Sequence, residues 1–177
     1  MILRDTLVFR TLLAIARQRA DYDETRCHAL LGLLAAADSI RSTARQELHR
    51  LALSEHQFSS LVVLRALDPE PALPTTIASH TDTSRAAMTD IIDTLLARGV
   101  VERRRSKEDR RNYLISLTDA GRALADRAET VLLQTVTQLS QRLRDTEPQL
   151  LVGACQRLTT HFRESTAPES TPSTQNV

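Results

Sequence analysis

The sequence predicts a mainly helical fold with one small β-hairpin. Three observations lead there. Leu and Ala dominate a chain with only four glycines and 3% aromatic residues, a composition that favours helices. Apolar residues recur every three or four places over most of the length, the period of one helix face. That period gives way once to alternation, in "VVERRR" and "NYLISL", the period of paired strands. With 177 residues, 41% hydrophobic and 25% charged, the chain suits one compact domain with an additional arm.

The elements follow in order. Leu3, Leu7, Leu12 or Leu13, and Ile15 or Ala16 place an N-terminal helix over 3–19, and "ADYDET" ends it. Leu30, Leu33, Ala37, Ile40, Ala44, Leu48 and Leu51 form a stripe about seven turns long over 25–51. Ser54 with Gln57 three places on is a capping box opening the next helix, which the proline-rich "DPEPALP" closes. Pro74 suits the first turn of a short helix, "PTTIASH", where its missing amide hydrogen does no harm. "TDTS" then offers caps for "RAAMTDIIDTLLARG". Met88, Ile91, Ile92, Leu95 and Leu96 face inward there, and Gly99 supplies the left-handed stop. The two strands, joined by "SKEDR", make the hairpin. Thr118 starts a long helix through about Arg144. Thr146 and Gln149 make a second capping box for a last helix ending near Arg163, and the polar 164–177 is expected to be a disordered tail. A short helix, a tight turn, a second helix and a two-stranded hairpin together are a winged helix-turn-helix, here residues 54–117.

Composition excludes several classes. No apolar run approaches the roughly 18–20 residues of a bilayer span. The N-terminus carries charges inside its apolar stretch and no small-residue cleavage site, so a cytoplasmic location is expected and no membrane partner. Cys27 and Cys155 form no disulfide framework, and none of His28, His49, His56, His80 and His161 stands at the i, i+4 spacing of a helical metal pair, so no metal or cofactor is expected. No Ser-His-Asp order, glycine-rich phosphate loop or carboxylate pair stands out. An enzyme is not expected, and a peroxidase-like thiol at Cys27 is the one enzymatic candidate. The net charge is only +1, yet Arg98, Arg103, Arg104, Arg105, Lys107, Arg110 and Arg111 crowd into 98–111 against Glu102, Glu108 and Asp109. Such charge on a two-stranded ribbon repels itself unless an anion arrives, which points to nucleic acid.

The segment "TSRAAMTDIIDTLLARGVVERRRSKEDRRNYLISLTDAGRAL", residues 83–124, resembles the MarR family of bacterial transcription regulators. It combines an "L-x-x-x-G-x-[VLI]-x-R" exit from the recognition helix, the wing's "D-R-R" and the "L-T-x-x-G" entry to the next helix. Weaker agreement runs from about 27 to 163. The resemblance implies a homodimer whose base is formed by 25–51 and 118–163, and a pseudo-palindromic double-stranded operator with half-sites about one helical turn apart. The apolar stripes of 27–51, 118–143 and 147–163 exceed what one small winged domain covers, which agrees with a partner chain. Residues 1–22 are an added arm that only some members possess.

The recognition helix must enter the major groove with short or polar side chains near its start, and Thr83, Ser84, Arg85, Ala87 and Thr89 satisfy this. Arg85 can fork onto guanine O6 and N7, while Ala86 and Ala87 permit close approach; as ordinary surface, Thr83 and Ser84 only cap the helix and Arg85 is solvated. Asp90 stands where members often carry arginine or another polar group. It either points away from phosphate, accepts from a cytosine amine, or weakens binding. Similarity implies that Arg111 enters the minor groove with its guanidinium held by Asp109. Arg103, Arg105, Lys107 and Arg110 are assigned to phosphates. Thr75 and Thr76 could add backbone amides to a phosphate.

Most relatives implied by the resemblance are repressors released by a small effector, often an aromatic acid. A pocket for a small aromatic or anionic effector would use Leu30, Leu34, Leu61 and Leu64, with Arg41 or Arg45 meeting an anion. Cys27 is similar in position to the sensing cysteine of the organic-hydroperoxide branch, which makes a redox-sensing regulator the alternative. A winged module that binds protein and not DNA is a further alternative. Cys155 lies in an apolar stripe and reads as core.

Overall fold

The computed structural model describes residues 6–19, 21–106 and 109–166. The chain divides into two compact units, Met1–Val136 and Thr137–Val177. The first holds α1 (Thr6–Gln18), α2 (Glu24–Arg50), α3 (Glu55–Leu67), α4 (Pro74–His80), α5 (Arg85–Ala97), β1 (Val101–Arg105), β2 (Tyr113–Leu117) and most of α6 (Asp119–Ser140). The second holds the end of α6 and α7 (Glu147–Thr166).

Local chemistry explains the starts. Asp23 accepts the Arg26 amide at 3.0 Å to open α2. Ser54 and Gln57 form both halves of their capping box, at 3.1 and 3.0 Å. Ser84 accepts the Ala87 amide at 3.2 Å and opens α5.

Three helices of the first unit stop alike, with one residue in the left-handed region and a six-residue bond behind it. At α5 the residue is Gly99, φ 66°, and the Val100 amide reaches the Leu95 carbonyl at 3.2 Å. At α2 it is Ala52, φ 53°, with Leu53 reaching Leu48 at 2.9 Å. At α4 it is Asp82, φ 49°, with Thr83 reaching Ala78 at 3.2 Å. Only the first uses glycine, so only the first is legible as a stop.

The core gathers Leu61 and Leu64 of α3, Ile77 of α4, Met88, Ile92 and Leu95 of α5, and Ile115 and Leu117 of β2. Leu48 at the end of α2 and Leu124, Ala125 and Ala128 of α6 close it. The flanking helices thus share one core with the winged segment. Buried Ser60 is satisfied by donating to the His56 carbonyl at 2.8 Å.

The hairpin is antiparallel, from Val101↔Leu117 to Arg105↔Tyr113, and Ile115 also bridges to Ala72 ahead of α4. Its base is locked to α6. Thr118 donates its amide to the Val100 carbonyl at 3.2 Å and its hydroxyl to the Gly99 carbonyl at 2.8 Å, and accepts the Gly121 amide at 3.1 Å. A Cβ on Gly121 would stand 1.9 Å from the Val100 carbonyl oxygen. The "L-T-x-x-G" spacing is therefore a cap followed by a close approach that only glycine permits.

One ion-paired arginine and one arginine bonded to backbone carbonyls tie the frame. Arg122 of α6 forks onto Asp68 after α3, at 2.9 and 2.8 Å, and reaches Asp119 at 3.0 Å. The hydrogen bonds from Arg122 hold the Asp68 carboxyl below its ordinary 3.8, against the opposing pull of burial. Arg98, at the cap of α5, donates to the carbonyls of Ala52 at 2.7 Å and Leu51 at 3.2 Å.

Some expectations need correction. The long helix ends at Ser140 and not near Arg144, and α7 continues to Thr166, past Arg163. The turn between them is closed by Glu147 and not by a Thr146–Gln149 box. The Glu147 carboxylate accepts the Arg144 amide at 2.9 Å and Arg144 Nε at 2.8 Å, which holds its carboxyl below the usual range. Residues 3–5 of the expected first helix and 167–177 of the expected tail lie outside the described residues.

Candidate nucleic-acid interface

The wing tip is a small hydrogen-bonded loop. Ser106 donates its amide to the Asn112 carbonyl at 3.0 Å, and Asn112 donates its own to the Asp109 carbonyl at 2.9 Å. The Asp109 carboxylate is the organiser. It accepts the Arg111 amide at 3.0 Å and Nε at 3.3 Å, and the Asn112 side-chain amide at 3.2 Å. The Arg111 side chain is nevertheless 92% exposed. Asp109 steers this cation while leaving it presented to solvent, the arrangement a groove-inserting arginine requires. Arg110 is also exposed, and Lys107 lies outside the described residues.

On α5, Arg85, Ala86, Ala87 and Thr89 are exposed, while Met88 faces the core. The hydroxyls divide differently from the arginine. Thr83 donates to the Thr81 carbonyl at 3.1 Å, Ser84 caps, and Thr89 donates back to the Arg85 carbonyl at 3.2 Å. The Arg85 guanidinium has no partner among the described residues. Asp90 is exposed, its carboxylate without a partner among the described residues. Thr75, Thr83, Ser84 and Arg85 line one open groove of about 450 Å³ with Ser79 and Asp82, between the starts of α4 and α5. Of the two expected backbone donors in α4, Thr76 is spent within the helix, its amide bonding the Leu73 carbonyl at 3.0 Å.

Arg103 and Arg105 are not placed alike with the tip arginines. Both guanidinium groups lie over the Tyr113 ring, 5.3 and 5.7 Å from its centroid. Arg103 also donates to the Asp93 carboxylate on α5. Asp93, Tyr113 and Asn112 were missed by sequence reasoning. Tyr113 was visible as an aromatic facing arginines across a hairpin; Asp93, ten places before Arg103, had no period to reveal it.

The six residues assigned to an effector pocket differ in their surroundings. Leu61 and Leu64 are sealed in the core at 0% and 2% exposure. Leu34 and Arg41 are exposed on α2, and Arg45 pairs with Glu55 at 3.0 Å. Leu30 instead lines an apolar cavity of about 360 Å³ between α1 and α2, with Leu12, Ile15, Tyr22, Cys27 and Leu31. Cys27 and Cys155 are both free and half-buried. No cluster of three or more potential metal ligands occurs among the described residues. No described helix is long and apolar enough to cross a membrane.

A sequence model of the MarR family matches residues 53–113. Over 100 residues the chain is 28% identical to the HTH-type transcriptional repressor YetL of Bacillus subtilis, a match covering 56% of this chain and 60% of that protein. Among solved structures, the transcriptional repressor CouR bound to a 23-mer DNA duplex aligns at 26% identity and a TM-score of 0.63, over 73% of this chain and 90% of CouR. A crystallised MarR-family transcription regulator shares the fold, with a TM-score of 0.71 at 18% identity over 81% of this chain and 95% of its own.

Proposed function

We propose that this chain, whose residues 53–113 match the MarR family model, is a homodimeric, sequence-specific DNA-binding transcription regulator of that family, a repressor released by a small-molecule effector. The observation that carries the reading is the Asp109-steered, 92% exposed Arg111 at the tip of a wing that follows directly on α5. Arg85 with its small neighbours Ala86 and Ala87 reads the major groove, Arg111 the minor groove, and Arg105, Lys107 and Arg110, three of the four cations assigned to phosphates, supply salt-sensitive attraction. Thr75 lends its amide beside Thr83, Ser84 and Thr89.

A second copy accounts for apolar surface that water would otherwise cover. On α1, Leu7 is 67% exposed; on α6, Leu133 is 67% and Val136 54% exposed; on α7, Leu150 is 69% and Val152 54% exposed. The α1–α2 cavity is apolar enough for a small aromatic effector, with Arg19 at its wall to meet an anion. Cys27 in the same wall supports the second reading, a thiol sensor. Peroxide that weakens DNA binding by the parent chain but not by Cys27→Ser would select it.

The test is a gel shift against the promoter region beside the coding sequence. Arg111→Ala is expected to weaken binding by about 1–3 kcal/mol without altering the melting curve. Unchanged affinity refutes the wing assignment, and no salt-dependent binding by the parent chain favours a protein-binding module.

A further inference from the structure

Alternation along β1 sorts the wing's arginines onto two faces. Arg103 and Arg105 lie on the face that pairs with Ile115 and Tyr113, whereas Arg104 lies on the other with Glu102. Ile115 is 1% exposed, so the Arg103 face is the one turned toward the protein. There Arg103 is bound on two sides at once. Its guanidinium donates to Asp93 on α5 and lies 5.3 Å from the centre of the Tyr113 ring on β2. Arg103 and Tyr113, with Pro74, Thr89, Ile92 and Ile115, wall a cleft of about 160 Å³ between the recognition helix and the wing. The Arg103 side chain is 36% exposed, against 92% for Arg111.

A cation in this position has little to offer a phosphate. Its charge is already neutralised by a carboxylate, and leaving Asp93 unpaired beside DNA would add repulsion. Nor does the pair matter greatly to stability, because Asp93 is 58% exposed and solvent-exposed ion pairs contribute little. What it does supply is geometry. A planar guanidinium held between an aromatic face and a carboxylate fixes direction as well as distance.

We propose that Arg103, with Asp93 and Tyr113, is a positioning unit that sets the wing against α5, so that Arg85 and Arg111 reach adjacent grooves of one duplex together. The proposal rests on the DNA-binding reading above. It makes Arg103 a specificity-determining residue that touches no phosphate.

The experiment uses full-length protein and two probes: a duplex recovered by in vitro selection against the parent chain, and a scrambled duplex of equal length and composition. Affinity is measured over a salt series for Arg103→Ala, Arg103→Lys and Asp93→Asn, with thermal melts as the folding control. Arg103→Lys keeps the charge but loses the fork and the stacking. It is expected to weaken the selected duplex roughly tenfold, as unfixing two reading side chains would, and to leave the scrambled one unaltered. Asp93→Asn removes a carboxylate near DNA, which by charge alone tightens binding; positioning requires the reverse on the selected duplex. Arg103→Ala is expected to keep the parent's slope of log affinity against log salt.

A slope shallower by about 0.9 in Arg103→Ala, the change that one fewer neutralised phosphate produces, together with parental affinity in Arg103→Lys, overturns the proposal and makes Arg103 a phosphate ligand. Tighter binding of both duplexes by Asp93→Asn overturns it equally. If the parent chain shows no salt-dependent binding to any duplex, the DNA-binding reading falls, and this role falls with it.

Discussion

Replacing Gly121 by alanine tests whether α6 approaches the wing base as tightly as the structure requires. The new Cβ would lie 1.9 Å from the Val100 carbonyl oxygen, 2.9 Å from its carbon and 3.2 Å from Leu117 Cδ2. A carbon–oxygen contact relaxes only at about 3.3 Å, so the first turn of α6 must retreat by roughly 1.4 Å. Backbone, not a flexible side chain, is the obstacle. That retreat takes the Thr118 amide, now 3.2 Å from the Val100 carbonyl, out of hydrogen-bond range, and strains the 2.8 Å bond from its hydroxyl to Gly99. Two bonds at about 1 kcal/mol each and about 1–3 kcal/mol of overpacking are partly offset by the roughly 1 kcal/mol that alanine gains in a helix. The net expectation is a loss of about 2–4 kcal/mol.

The matched control is Gly32→Ala in α2, where nothing beyond the helix's own backbone and the adjoining residues lies within 4 Å of the added carbon. It is expected to gain about 0.5–1 kcal/mol. Urea unfolding of both variants and the parent, at one protein concentration because association would shift the midpoint, gives the two signs. A Gly121→Ala variant as stable as the parent would refute the close-approach account of the "L-T-x-x-G" motif.

Other outcomes follow from the same architecture. Ala52 sits at φ 53°, so Ala52→Gly relieves left-handed strain and is expected to raise stability by about 0.5–1 kcal/mol in the same urea assay, less any loss from a freer unfolded chain; a fall in stability would deny that strain. The Asp68 carboxyl is held below 3.8 in the folded chain, so the unfolded chain takes up that proton first as pH falls. The Arg122–Asp68 contribution is therefore full above about pH 4 and declines as pH drops through the lowered folded value. Asp68→Asn should flatten the acid limb of a melting-temperature profile, and an unaltered limb would show that the pair is not felt. Asp109→Ala frees Arg111 to wander, and is expected to weaken duplex binding several-fold although it removes a negative charge; tighter binding would mean that Asp109 does not steer.

What could be read in the sequence was local. The Ser54–Gln57 box, Pro74 at the first turn and Gly99 after α5 each act within four residues, so spacing alone reveals them. The period change from α5 to the hairpin was equally plain, because strands and helices bury different sets of positions. What escaped depends on the third dimension. Ala52 and Asp82 adopt conformations that their own side chains do not ask for, under the demands of the packed turns around them. The Arg122–Asp68 and Arg98–Ala52 bonds join residues 54 and 46 places apart. Burial is hidden for the same reason: Leu61 and Leu64 share α3 with exposed neighbours, and only the packed core decides which leucines are sealed within it.

The bond from Thr118 to Val100 has a mechanical meaning. It gathers the two ends of residues 100–118 at one point, a further tie beside the Ile115–Ala72 bridge and the Arg103–Asp93 pair. A second knot, Ser106 to Asn112, isolates the tip again. Residues inserted or deleted between those inner ends would change how far the tip reaches while leaving the tilt of α5 untouched. Reach and aim can therefore vary independently in this architecture.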